Sequence, residues 1–180
     1  MCSSDLRQTR LQRVIDGLRS RLVLKETALS IAWQHALKRR AKLRVEDLKR
    51  APVVSALRLF PGISPELVHN VLRPPLQGLV LETYGVGNGP DQDGAFIAAL
   101  AEATARGVVI VDCTQCLEGT VDLTEYAAGS ALARAGVISG FDMTAEAALT
   151  KLYYLFSRGF GSEKVQREMQ RDLRGEVTPR

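Results

Sequence analysis

From residue 53 onward the chain alternates between short apolar runs and longer stretches with apolar residues at helical spacing. Residues 53–60 form a brief apolar run of alternating character, which predicts a strand. Pro61-Gly62 turns the chain, and Ser64-Pro65-Glu66 reads as N-cap, first-turn proline and first-turn acid. The helix begun there carries Leu67, Val68, Val71 and Leu72 on one face. Residues 78–84 (GLVLETY) predict a second strand, and Gly85-Val86-Gly87-Asn88-Gly89-Pro90 a loop. A helix over 91–106 turns Phe96, Ile97, Leu100 and Ala103 inward and stops at Gly107. Residues 108–111 make the most apolar strand, suited to a central position covered on both faces. An Ala-rich helix over 126–135 ends at Gly136, and 137–138 give a very short fourth strand. Helices over 144–157 and 162–173 complete the order.

Strands spaced by helices in this way predict a parallel sheet with right-handed crossovers, hence a three-layer αβα domain of the α/β class. The first part of the chain has another texture. Its start is Arg-rich, and residues 27–49 hold no Gly or Pro and place Leu29, Trp33, Ala36, Leu37 and Leu43 at roughly helical intervals before Ala51-Pro52 breaks the pattern. The expected division is a basic helical segment over 1–52 and an α/β domain over 53–180.

Composition changes this picture little and charge changes it more. Hydrophobic residues at 46% and charged residues at 24% exclude a disordered chain. No apolar run approaches the roughly 20 residues of a membrane-spanning helix, so no membrane partner is expected. The start shows no apolar core of a secretory signal, and three cysteines make no disulfide framework, so a cytoplasmic location is expected. The net charge of +4 conceals an asymmetry: through Phe60, Lys and Arg outnumber Asp and Glu 14 to 5, and thereafter they are outnumbered 15 to 10. Such a split fits a basic arm that meets an anion or a segment separated from its partner. Only Trp33 among the aromatic residues precedes Phe60, so base stacking is poorly served and a nucleic-acid partner is not expected.

Several motifs could carry chemistry. The glycine loop comes after a strand, but Pro90 stands where a dinucleotide fingerprint needs its third glycine, and Asp91 and Asp93 would repel a pyrophosphate. Glycines at a strand's carboxyl end still allow close backbone approach to another surface. Cys113-Thr114-Gln115-Cys116 has the spacing of a redox pair but no helix signal behind it, and the other candidate ligands (Cys2, His35, His69) lack zinc spacing. The plain alternative is two small thiols packed beside a sheet, which leaves Gln115 unexplained. Asp142 or Thr144 caps the next helix, and Lys151 within it reads as solvated. No nucleophile-and-base set is evident.

Taken together, Leu59-Phe60-Pro61-Gly62-Ile63-Ser64, Leu81-Glu82-Thr83-Tyr84-Gly85-Val86-Gly87-Asn88-Gly89-Pro90, Gly107-Val108-Val109-Ile110-Val111-Asp112-Cys113-Thr114-Gln115-Cys116 and Gly136-Val137-Ile138-Ser139-Gly140-Phe141-Asp142-Met143-Thr144 resemble the C-terminal domain of L-asparaginases. The similarity is to the cytoplasmic type I group, including the asparaginase domain of the mammalian lysophospholipase-like enzyme, and covers residues 55–179 in order. It implies a Rossmann- or flavodoxin-like fold and a hydrolase that makes L-aspartate and ammonia from L-asparagine without a cofactor or metal. In the family the nucleophilic Thr and the Thr–Asp–Lys set lie in the N-terminal domain, so no catalytic residue is expected in this segment. The C-terminal domain walls the active site of a neighbouring subunit, which implies Asn88 and Gly87 as substrate-proximal residues and a homodimer or homotetramer as the assembly. In the bacterial type I enzyme an Arg before the glycine loop and a Cys in the Thr-Gln-Cys segment form an allosteric position. Cys116 matches that Cys, while Glu82 stands in place of the Arg and would repel an effector's carboxylate.

The opening Cys2-Ser3-Ser4-Asp5-Leu6 matches the translation of a common sequencing adapter, and the expectation is a catalytically incomplete piece of such an enzyme. The alternative is a stand-alone module that binds a small amino acid and uses its basic arm for a partner. A thiol redox role for Cys113 and Cys116 is a third reading. Asparagine against glutamine preference and any accompanying lysophospholipase activity stay open at this point.

Overall fold

A computed structural model describes residues 50–90, 94–124 and 127–178. The helix expected over 27–49, and with it nearly all of the basic segment, lies outside the described residues. The described order is β1 (Val54–Arg58), α1 (Pro65–Val71), β2 (Gly78–Thr83), α2 (Gly94–Ala105), β3 (Val109–Thr114), α3 (Ala127–Arg134), β4 (Ile138–Ser139), α4 (Ala145–Ser157) and α5 (Ser162–Met169). The strands pair in parallel in the sequential order β1-β2-β3-β4. Sequential order with crossovers of one hand places every crossover helix on the same face. The opposite face must then be covered by the chain beyond β4.

The core divides accordingly. Leu79 and Leu81 of β2 and Ile110 of β3 pack with Val68, Phe96, Leu100 and Leu132 from α1, α2 and α3. Val80, Val109, Val111 and Cys113, the alternate positions, pack with Leu152, Leu155 and Phe156 of α4 and Val165 and Met169 of α5. This is the expected three-layer α/β architecture. Burying one such Leu, Val or Phe contributes about 1.5–3 kcal/mol before conformational entropy is counted.

The helix signals act as their chemistry dictates. Ser64 Oγ accepts the Leu67 N–H at 3.2 Å, and Thr144 Oγ1 accepts the Ala147 N–H at 3.2 Å. Thr144 is therefore the cap, and Asp142 instead accepts the backbone N–H of Thr178 at 2.9 Å. Gly107 closes the turn after α2 with φ +94°, in the left-handed region that favours glycine.

Four expectations are corrected. β3 runs on to Thr114 rather than stopping at residue 111, because the polar Asp112 finds a buried partner. Leu67 faces outward at 41% exposure instead of joining Val68 and Leu72 in the core. The last helix ends at Met169, because the Glu176 carboxylate takes the Leu173 N–H at 3.0 Å and the Arg174 N–H at 2.5 Å in a non-helical tail. Lys151 is buried, not solvated: its ammonium donates to the carbonyls of Met169 (2.9 Å) and Arg171 (2.5 Å) and pairs with Glu176 at 2.7 Å. Burial alone would raise Glu176, but the Lys151 and backbone hydrogen bonds hold its carboxyl at about 2.

Candidate functional site

Open parallel sheets place ligands outside the carboxyl ends of their strands. At that edge β2 runs into the glycine loop, which closes on itself: Tyr84 N–H donates to Asn88 O and Asn88 N–H to Tyr84 O, both at 2.8 Å. Thr114 Oγ1, at the end of β3, donates to Gly85 O at 2.5 Å, and Asp122 N–H donates to Val86 O at 2.9 Å. The loop is thus tied to its own strand, to β3 and to the segment after β3. Gly87 is buried and Asn88 half-buried, and the Asn88 side-chain amide bonds no other described residue. A substituent at Gly87, whose φ is +117°, would meet Val121 Cγ1 at 3.0 Å and Asp112 Oδ2 at 3.2 Å, so only glycine permits this seating.

Gln115, which neither cysteine reading explained, is a structural tie. Its Nε2 donates to Leu59 O at 2.7 Å and Glu82 O at 2.9 Å, while its backbone N–H reaches Thr83 O at 2.9 Å. One amide therefore pins the ends of β1 and β2 beside β3. Glu82 lies in register with Arg58 and Cys113. Its carboxylate, largely covered, is 3.7 Å from the guanidinium of the exposed Arg58, a long contact worth about 0–1 kcal/mol. Cys116 is exposed, its N–H held by Thr114 Oγ1 at 3.0 Å. Gln115 joins this segment to the Glu82 carbonyl, but no hydrogen bond or ion pair links the Glu82 and Cys116 side chains.

The cysteines separate. Cys113 lies inside β3 rather than after it, and burial, with the charges of Asp112, Glu82 and Glu146, pushes its thiol up from the ordinary 9.0 to about 12. A redox nucleophile needs the opposite shift. Among the described residues no cluster of His, Cys, Asp and Glu could hold a metal, and no helix is long and apolar enough to cross a membrane.

One pair escaped the sequence reading. Thr83 Oγ1 donates to Asp112 Oδ1 at 2.6 Å, both residues fully buried. Burial pushes the Asp112 carboxyl up from 3.8 to about 7, against the lowering effect of the Thr83 bond. A hydroxyl on a carboxylate is the start of an activated nucleophile, but neither group here presents a face to a substrate. The available signal was a lone acid in the most apolar strand of the chain.

The Glutaminase/Asparaginase C-terminal domain family matches residues 53–169. The chain belongs to this family. L-asparaginase 1 of Escherichia coli K12 is 50% identical over 126 residues, covering 70% of this chain and 37% of that protein. The 60 kDa lysophospholipase of Homo sapiens is 55% identical over 127 residues, covering 70% of this chain and 22% of that protein. The crystal structure of L-asparaginase I from Vibrio cholerae superposes with a TM-score of 0.71 at 46% identity, covering 79% of this chain and 42% of that one. The chain thus spans well under half the length of these relatives. Within an asparaginase C-terminal domain, the glycine loop, Gln115 and the Thr83–Asp112 pair form one connected edge of the sheet.

Proposed function

We propose that residues 53–180 act as the C-terminal domain of an L-asparaginase, an amidohydrolase that adds water to L-asparagine and releases L-aspartate and ammonia. The observation that carries this reading is the closed glycine loop, which holds its backbone fixed while leaving the Asn88 amide unengaged. An amide is both donor and acceptor, and so suits the charged ends of a small amino acid. In this reading Asn88, seated by Gly87, walls the site of a neighbouring subunit, and the nucleophile comes from another domain. Leu117, fully exposed after β3, and Phe60, at 48% exposure after β1, leave apolar surface that supports burial against a second copy in a homo-oligomer. As an effector position, Glu82 and Cys116 would present an incoming carboxylate with an acid that already engages Arg58. The reading places the assembly in the cytoplasm, where Cys116 stays a free thiol.

The test is a two-domain asparaginase whose C-terminal domain is replaced by residues 53–180 of this chain. Asn88→Ala should lower kcat/KM for asparagine by about tenfold, the loss of one oriented hydrogen bond, while thermal unfolding is unchanged. Unaltered kinetics would remove Asn88 from the site.

A further inference from the structure

The carboxyl beneath the glycine loop is only half partnered. Asp112 Oδ1 accepts the Thr83 hydroxyl, while Oδ2 has no hydrogen-bond partner among the described residues. That second oxygen faces Gly87, which sits in a seat formed by Asp112 Oδ2, Val121 Cγ1 and Leu123 Cδ2, at 3.2, 3.0 and 3.4 Å from where a Cβ would stand. The seat is fixed from below: Val121 N–H donates to Phe141 O at 2.9 Å, and Ser139 Oγ of β4 donates to Val121 O at 2.8 Å.

The surrounding ionisable groups do not compensate Asp112. Glu82 of β2 and Cys113 of β3 occupy alternate strand positions, on the other face of the sheet, and Glu82 engages Arg58. The Asp122 carboxylate, on the segment after β3, accepts from Thr124. The Tyr84 phenol, at the base of the loop, is buried and unpartnered. Among the described residues no cation forms an ion pair with Asp112.

We propose that Asp112 is a positioning residue for the loop that carries Asn88: as a neutral acid it accepts Gly87 packed against it, and as an anion it drives Gly87 out of its seat to admit water. The inference rests on the reading of Asn88 as substrate-proximal and gives that site a proton-controlled setting. A neutral carboxyl costs far less than an anion in an apolar seat, whereas an anion left with one hydrogen bond needs hydration. The titration of Asp112 at about 7 puts the change near neutrality. The Tyr84–Asn88 bridge and the Thr114 and Asp122 ties hold the loop on either side of Gly87, whose own N–H makes only a longer bond to Tyr84 O at 3.2 Å, so the displacement centres on Gly87 and reaches Asn88 through the peptide they share.

The experiment is a pH titration of the isotopically labelled 180-residue chain by nuclear magnetic resonance, following the Asp112 carboxyl carbon and the Gly87 and Asn88 amides. All three should share one inflection at about pH 7. Asp112→Asn, nearly the same shape, should abolish the amide inflection and hold both amides near their low-pH positions. Thr83→Val removes the bond that favours the anion and should move the shared inflection to higher pH. Amides that stay flat while Asp112 titrates would overturn the proposal, as would an inflection that survives Asp112→Asn or moves to lower pH in Thr83→Val. None of these readouts depends on catalysis, so their failure leaves the substrate-wall reading intact. Conversely, unchanged kinetics in Asn88→Ala would end that reading and leave the titration standing.

Discussion

Glu176 and Asp112 are both carboxyls largely withdrawn from water, yet Glu176 is held at about 2 and Asp112 is pushed up to about 7. The difference lies in their partners. Glu176 has the Lys151 ammonium and two backbone N–H groups, whereas Asp112 has one hydroxyl and an oxygen left bare. The first arrangement locks a tail to the domain. The second stores a cost directly beneath a loop that bears a candidate site residue, and fully partnered charges fix structure while half-partnered ones leave it responsive.

The largest expected effect comes from breaking the satisfied pair. Lys151→Met leaves Glu176 without its cation and should cost about 3–5 kcal/mol in denaturant unfolding at neutral pH. A loss below about 1 kcal/mol would mean that the pair behaves as a solvated surface bridge.

The next effect sets the two acids against each other through pH. The folded-state value of Glu176 lies below its ordinary 4.5, so its stabilisation is present above that pH and is lost as pH falls toward about 2. The folded-state value of Asp112 lies above its ordinary 3.8, so its contribution is greatest below that pH and is lost as pH rises through about 7. Their sum peaks at about pH 4–5. At about pH 8 the Asp112 penalty amounts to about 4 kcal/mol, so Asp112→Asn should gain up to that amount there and gain little below about pH 4. Thermal unfolding across this range checks both limbs, and a variant no more stable than the parent at the alkaline end would contradict the penalty.

The smallest effect concerns an uncharged tie near Asp112, at the carboxyl end of the sheet. Gln115→Ala removes side-chain hydrogen bonds to Leu59 O and Glu82 O and should cost about 1–2 kcal/mol, with faster amide exchange at the ends of β1 and β2. Exchange unchanged at those positions would show that the strands hold their ends without it.

The same contrast explains what was legible in the sequence. Ser64, Gly107 and Thr144 act within a few residues of themselves, and their roles could be read directly. The sheet order followed from alternating strand and helix signals. Lys151 and Asp112 were misjudged or passed over because their partners lie far along the chain: Glu176 closes a turn beyond α5, and Thr83 sits on the neighbouring strand. A charged residue at a helical or strand position reads as solvated until a distant partner is known. Gln115 has the same character, since the carbonyls it ties belong to strands made earlier. For the site, the glycine loop was visible as a loop, and the resemblance alone supplied the meaning of Asn88.

The sequential order of the strands has a consequence for the life of the chain on the ribosome. By the time β4 emerges, all the strands and one helical layer have been synthesised, but Val80, Val109 and Val111 still lack the cover that α4 and α5 provide. A nascent chain that has emerged only as far as residues 139–157 presents a finished sheet with one bare apolar side, the kind of surface that recruits chaperones or a second nascent chain. The domain therefore cannot complete its core during translation until its last third is made, and the Lys151–Glu176 pair closes only after the tail itself has left the tunnel.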